Sequence, residues 1–338
     1  MGTEASPDLR TIYAPVEEDM LRLAAFLETE FGGVEPFLMR ILEHVSRFRG
    51  KQIRPAILFL TRRLALLSFD GATRSRADDH VKIGAVVELI HTATLVHDDI
   101  LDDAELRRGV ETVHRRWGER AAILIGDYIY SRAFRLSTEV HGMARAFSDT
   151  TNTICEGELL QIGSRFRPDI GEERYLEIIR KKTGILYAAA ARLGGVLGGA
   201  DPELAGKLHE FGMELGTAFQ IVDDCLDYDG EEGLTGKSLG TDLRQGKVTL
   251  PLIYLREALP AGEKEWFDGA LGGPIAGEPE RRIQRLVAEH GVLAEAFARA
   301  QGFVESAKGI LAELLGGNGG QIGESLDLVA DYVLRRRQ

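Results

Sequence analysis

The sequence predicts an all-α bundle of ten or more helices around a central cleft, on three observations. Apolar residues recur three and four positions apart through most of the chain, sustained two-residue alternation is missing, and the apolar runs are too long for sheet elements. With 10 prolines and 39 glycines, residues 1–338 fall short of linker composition and are expected to form one helical domain.

The first helices are expected at 16–27, where Met20, Leu21, Ala24 and Leu27 follow the helical period, and at 34–45, with Phe37, Leu38, Ile41, Leu42 and Val45. Pro55 suits a first helical turn, so the next helix starts around 51–54 and runs to 67, with 69–75 as a break. Residues 79–102 are apolar on more than one side and then abruptly acidic, which predicts a central helix whose end reaches the cleft. Further helices are expected at 118–137, 139–164, 172–197, 203–228, 249–259, 278–289, 293–315 and 323–337. Residues 230–241 read as a polar loop, and 261–277 as an external Gly- and Pro-rich connection. The clusters Gly194-Gly195 with Gly198-Gly199, and Gly316-Gly317 with Gly319-Gly320, read as helix stops. Neither follows a strand, so neither supports a dinucleotide fingerprint.

Composition narrows the function. Hydrophobic residues at 44% and charged ones at 28% exclude a disordered chain. A net charge of −12 disfavours non-specific binding to nucleic acid or an anionic membrane. Cys155 and Cys225 are too few for a disulfide framework, which points to a reducing compartment. The start has no secretory pattern and no stretch is apolar enough for a transmembrane segment, so the expectation is a cytoplasmic protein.

The chemistry lies in an Asp-Asp-x-x-Asp pattern that occurs twice. Asp98, Asp99 and Asp102, extended by Asp103, follow LIHTATLV; Asp223, Asp224 and Asp227, extended by Asp229, follow GTAFQIV. On a helix Asp98 shares a face with Asp102, and Asp223 with Asp227. Like charges so close oppose ionisation, and acidic groups are disfavoured at a helix C-terminus, so each cluster calls for a cation. Carboxylates without His or Cys suit Mg²⁺. Cationic residues form the complementary half: Lys51 and Arg54, Arg107 and Arg108, Lys181 and Lys182, Lys237 and Lys247. Together these suggest diphosphates in a helical cleft. Two Glu-x-x-His pairs, Glu88/His91 and Glu111/His114, with Glu156 or Glu158, would suit a di-iron bundle but leave both acidic clusters unexplained. A non-catalytic helical protein that binds metal or a partner is the alternative from another class.

Seven segments carry a family resemblance: GKQIRP at 50–55, ELIHTATLVHDDILDDAELRRG at 88–109, LIGDYIYSRAF at 124–134, EGELLQI at 156–162, YLEIIRKKTG at 175–184, FQIVDDCLDY at 219–228 and GKSLGTDLRQGKVTLP at 236–251. With these in order, nearly all of the chain resembles the trans-isoprenyl diphosphate synthases, or polyprenyl synthetases, of medium and long chain type. The resemblance implies an isoprenoid synthase-type bundle, a homodimer, and prenyl transfer from an allylic diphosphate (dimethylallyl, geranyl or farnesyl) to isopentenyl diphosphate. It implies that Asp98, Asp99, Asp102, Asp223, Asp224 and Asp227 hold about three Mg²⁺ ions. Arg107, Lys182, Lys237 and Lys247 then resemble contacts to the allylic diphosphate; Gly50, Lys51, Arg54, His91 and Arg108 match the isopentenyl diphosphate site; Thr183 and Gln220 resemble the polar groups near the developing carbocation. Gly184 stands where the family commonly has Ala. Chain length is assigned to Ala93 and Thr94, with Ile90, Val86 and Val87 deeper and Tyr130 and Phe134 as a floor. Small residues at 93 and 94, about one helical turn before Asp98, imply a product of roughly thirty to fifty carbons, with geranylgeranyl diphosphate as the shorter alternative.

Overall fold

The described residues of the computed structural model, 8–68, 76, 78–229, 240–316 and 319–335, are almost entirely helical. Asp8 caps α1 (Leu9–Tyr13) by accepting the Arg10 N–H, and a 3₁₀ turn leads into α2 (Glu17–Thr29). Pro36 starts α3 (Pro36–Ser46), and the loop after it delivers α4 (Ile53–Ser68). Then come α5 (Asp79–Leu101), the strands β1 (Leu106–Arg107) and β2 (Val110–Glu111), α6 (Val113–Trp117), α7 (Glu119–Thr138) and α8 (Met143–Gly163). A π-helical turn, Arg180–Gly184, joins α9 (Glu172–Ile179) to α10 (Ile185–Leu197). The rest is α11 (Pro202–Asp229), α12 (Thr241–Arg244), α13 (Leu250–Ala258), α14 (Ala261–Leu271), α15 (Glu278–Glu289), α16 (Val292–Leu315) and α17 (Gly320–Leu334).

Burial sorts these helices into an inner and an outer set. On α5, Val81, Ile83, Val86, Val87, Leu89 and Ile90 are all buried, which is possible only with neighbours on several sides; α2, α4, α7 and α10 supply them. α11 packs on α10 and α16, and α10 on α4. Buried side chains form one cluster from Ile12 to Val333, so the first and last helices share a core. Among the described residues no helix is long and apolar enough to cross a membrane.

Several sequence expectations change. Residues 261–277 are not a loop throughout: α14 forms because Phe267 and Leu271 are completely enclosed, and Asp268 pairs with Arg256 of α13 at 2.6 Å. Gly194 and Gly195 are not stops but lie inside α10, where a Cβ on Gly194 would collide with the Leu58 carbonyl of α4. Gly198 does cap α10, and Gly316 closes α16 in the left-handed region at φ 51°. The helix expected over 172–197 is split by the π turn, and that expected over 139–164 begins only at Met143. The break at 69–75 and most of the loop at 230–241 lie outside the described residues.

The hairpin was not expected either. β1 and β2 pair antiparallel, Leu106 with Glu111 and Arg107 with Val110, around a two-residue turn in which Arg108 and Gly109 both have positive φ, 52° and 76°. That is the primed turn that matches strand twist. It matters for function because it sends Arg107 and Arg108 to different places.

Candidate active site

Both acidic helix ends, at the C-termini of α5 and α11, border one cavity of about 1940 Å³. Asp98, Asp102, Asp223, Asp224 and Asp227 line it, together with Gly50, Lys51, Arg54, Glu88, His91, Thr94, Arg107, Arg108, Lys182, Thr183, Gln220 and Lys247. Residues up to 200 positions apart in the sequence, from Arg49 to Thr249, thus converge on one space. Lys237 lies outside the described residues.

The six carboxylates do different things. Asp99 is buried and does not line the cavity; Arg107 covers it, with Nε 2.7 Å from Oδ1. Asp224 accepts hydrogen bonds from Tyr175 Oη at 2.6 Å and Gln220 Nε2 at 2.7 Å. Asp227 accepts the backbone N–H groups of Thr241 and Asp242 at 3.3 and 3.0 Å, which anchors the start of α12. Asp102 is held by Lys247 at 3.0 Å and Arg165 at 3.3 Å. So the second Asp of the first cluster is a support for Arg107, whereas the first and third face the cavity.

The electrostatics fit a bound cation. Burial pushes the Asp98 carboxyl up, with Glu158 and Asp102 adding to it and Lys182 opposing. Burial and Asp242 raise Asp224 to about 8, against the hydrogen bonds from Tyr175 and Gln220. Burial would raise Asp102 too, but Lys247, Lys182 and Arg165 bring it below the ordinary carboxylate value. Hard oxygen donors crowded until they resist ionisation are what a divalent cation relieves. Among the described residues no three His, Cys, Asp or Glu side chains come together as a ready-made metal site.

Lys182 and Lys247, two of the residues expected to contact the allylic diphosphate, are paired internally. Lys182 sits on the π turn, forms an ion pair with Glu158 and donates to Gln161 Oε1 at 2.7 Å. The π turn can approach α8 because Gly157 has no Cβ, which would otherwise meet the backbone of Lys181 at 2.8 Å. Lys247 also reaches Asp242 at 3.3 Å. Thr183 Oγ1 donates to Gln220 Oε1 at 2.8 Å, so Thr183, Gln220, Asp224 and Tyr175 form a continuous chain of hydrogen bonds.

Across the cavity lies a second cationic group without the acidic clusters. Arg108 donates to the Phe48 carbonyl, and its guanidinium lies against Gly50, where a Cβ would sit 2.7 Å from Cζ. Gly50 is therefore small because Arg108 needs the space. Burial and the neighbouring Arg54, Arg108 and Arg107 keep the His91 imidazole neutral, its pKa well below the usual value. A neutral imidazole retains one N–H donor for an anion.

The third sector is apolar: Thr94, Leu101, Ile154, Cys155, Leu159 and Ile162 line the cavity between α5 and α8. Of the expected chain-length residues, Thr94 is on this wall. Ala93 and Ile90 are instead enclosed, only 1% and 2% exposed, and do not line it. Phe134 is 47% exposed on α7 and forms no floor of this cavity. The Glu111/His114 pair of the di-iron alternative does not reach the cavity lining.

Sequence reasoning missed the partners: Glu158 and Gln161 for Lys182, Arg165 and Gln245 for Asp102, Asp242 for Lys247, and Tyr175 for Asp224. Glu158 and Gln161 did carry a signal, since their i, i+3 spacing after Gly157 puts both on one side of α8.

Comparison with known proteins agrees with this geometry. The polyprenyl synthetase family model matches residues 35–281. Octaprenyl diphosphate synthase of Escherichia coli (strain K12) is 43% identical over 249 residues, 73% of this chain and 75% of that protein. A short chain isoprenyl diphosphate synthase of Methanothermobacter thermautotrophicus is 38% identical over 312 residues, 88% of this chain and 90% of its own. The crystal structure of a polyprenyl synthase from Caulobacter crescentus CB15, complexed with calcium and isoprenyl diphosphate, superposes with a TM-score of 0.89 at 33% identity, covering 99% of this chain and 100% of that one. With family, relatives and fold in agreement over the residues that build the cavity, the chain belongs to the polyprenyl synthetases, a family of prenyltransferases.

Proposed function

We propose that this enzyme uses Mg²⁺ to extend an allylic diphosphate with isopentenyl diphosphate, giving an all-trans product of roughly thirty to fifty carbons. The observation that carries this reading is the meeting of two acidic helix ends and two separate cationic groups around one cavity. Asp98, Asp102 and Asp223 are the residues we assign to the metal; when bound, Mg²⁺ supplies positive charge against the leaving diphosphate. Asp99, Asp224 and Asp227 hold Arg107, Gln220 and α12 in place.

The chain's own groups account for the remaining steps. Lys182 and Lys247 place positive charge beside the allylic diphosphate, while Lys51, Arg54, Arg108 and His91 hold isopentenyl diphosphate on the other side. The carbonyl of Gln220, oriented by Thr183 and Asp224, presents a negative dipole to the allylic cation. The double bond of isopentenyl diphosphate attacks that cation and a proton leaves to the released diphosphate, so no Ser, Cys or His nucleophile is required. The apolar wall from Thr94 to Ile162 excludes water from the cation and takes up the growing chain.

A relative named geranylgeranyl diphosphate synthase, from Saccharolobus solfataricus and 32% identical over 345 residues, keeps geranylgeranyl diphosphate as the second reading. The same proposal makes residues 1–338 one functional domain, cytoplasmic, and a homodimer. Exposed apolar residues on α7, with Ile123 46% and Leu124 68% exposed, support the dimer; two cysteines, too few for a disulfide framework, suit the cytoplasm. Asp98→Ala and Asp223→Ala test the metal assignment. Each is expected to lower turnover by about two orders of magnitude or more, with helical content retained and added Mg²⁺ giving no full rescue. Near-wild-type turnover in either variant contradicts it.

A further inference from the structure

Lys51 and Arg54 are held differently from the cations beside the acidic clusters. Arg107 rests on Asp99, Lys182 on Glu158 and Lys247 on Asp102. Among the described residues, neither Lys51 nor Arg54 has a carboxylate within ion-pair distance; each lies over an aromatic ring instead. Arg54 Cζ is 4.4 Å from the ring centroid of Tyr187 on α10 and 5.8 Å from that of Phe219 on α11. The two rings pack on each other at 5.3 Å. Lys51 Nζ lies 5.1 Å from the ring centroid of Tyr332 on α17. Arg54 Nε is buried without a hydrogen-bond partner, and Tyr187 and Tyr332 are both buried. Tyr13 of α1 donates to the Lys51 carbonyl and fixes the loop backbone from the other side.

The two kinds of support differ physically. A carboxylate cancels its partner's charge and occupies its N–H donors. A ring face attracts a cation through the aromatic quadrupole, and it leaves the charge and the donors available to an incoming anion. Beside the acidic clusters, pairing with carboxylates is tolerable because metal ions bring further positive charge. At the second cationic group the nearby carboxyl is Glu88, which burial pushes toward its neutral form and which lies beyond ion-pair distance of Lys51 and Arg54, so these two cations need another support to be held still.

We propose that Tyr187, backed by Phe219, and Tyr332 are positioning residues for isopentenyl diphosphate. Their ring faces hold Arg54 and Lys51 in place with charge and N–H donors free for its diphosphate. The ring carries this effect and the tyrosine hydroxyl does not. The inference rests on the assignment of Lys51 and Arg54 to isopentenyl diphosphate above. It gives α17, which contributes no wall of the cavity through Tyr332, a part in substrate affinity.

The test is the KM for each diphosphate in the full-length enzyme carrying Leu, Phe, or mono-, di- and trifluorinated phenylalanine at position 187, and Leu or Phe at 332. Tyr187→Leu and Tyr332→Leu are expected to raise the KM for isopentenyl diphosphate about three- to thirtyfold, with the allylic KM changed by less than about twofold. Phe at either position is expected to restore most of the affinity, and successive fluorination at 187 to raise the KM stepwise as the quadrupole weakens. The fluorinated series is nearly isosteric and remains decisive where Tyr187→Leu fails to fold. A flat fluorination series, Phe as damaging as Leu, or equal rises for both substrates overturns the proposal. Arg54→Gln separates it from the assignment beneath it: if that change leaves the KM for isopentenyl diphosphate unaltered, the assignment of Arg54 is wrong; if it raises the KM while fluorination does nothing, only the positioning role is.

Discussion

Single residues in this site act through where one helical or strand step sends them. Asp98 and Asp99 are neighbours about 100° apart on α5, so one lines the cavity and the other lies behind Arg107. Arg107 and Arg108 are split by the hairpin turn, one toward Asp99 and the other toward Gly50. Spacing alone shows which residues are charged in an apolar setting, which is why both acidic clusters and the GKQIRP cations are legible in the sequence. It does not show which member of each pair faces inward. Gly50 offers a residue-scale test. In Gly50→Ala the added methyl meets the Arg108 guanidinium and must displace it. The expected result is a rise of about ten- to a hundredfold in the KM for isopentenyl diphosphate, the effect of losing one charge-assisted contact, with the allylic KM nearly unchanged. Initial rates with each substrate varied in turn provide the measurement.

At the scale of elements, the helical period predicts most boundaries because long apolar stripes leave little choice of conformation. The exceptions have local causes. The π turn at Arg180–Gly184 is invisible to a helical pattern, since it shifts the phase within one continuous helical stretch and so turns Lys182 and Thr183 to the cavity. The glycines of α10 read as stops because composition cannot distinguish a chain end from a close approach; here the Leu58 carbonyl occupies the space. Helix phase also decides which residues of α5 line the cavity. The cavity side of α5 runs through His91, Thr94, Asp98 and Leu101 rather than through Ile90 and Ala93. Thr94→Phe therefore places a ring in the apolar sector and is expected to shorten the main product to about fifteen or twenty carbons, at similar diphosphate affinity. Ala93→Phe instead forces a ring into the enclosed side of α5 and is expected to cost about 1–3 kcal/mol of stability. Reversed-phase analysis of dephosphorylated products and urea denaturation distinguish the two.

Across the whole molecule, the cavity draws on residues from Arg49 to Thr249, and one buried cluster from Ile12 to Val333 ties its walls to the first and last helices. Tyr175 lies 49 residues from Asp224 and Gln161 lies 21 from Lys182, beyond any local window, which is why they were missed although the charged residues themselves were found; Asp242 is near Lys247 in sequence, but spacing does not show that the two side chains meet. The apolar residues left exposed on α7 outside the cavity, Ile123, Leu124 and Phe134, are expected to be covered by a second copy. Light scattering should then give twice the 37.2 kDa chain mass, and Leu124→Asp should shift that equilibrium toward the monomer. A stable, fully active monomer at working concentration contradicts the dimer. The central claim, metal-dependent elongation in this one cavity, is tested most directly by product analysis. Purified enzyme is incubated with farnesyl and isopentenyl diphosphates, with Mg²⁺ or with a chelator. The account predicts a ladder of prenyl diphosphates ending at roughly thirty to fifty carbons with Mg²⁺ and none with the chelator. Elongation that persists without a divalent cation, or no elongation when Mg²⁺ is present, contradicts it.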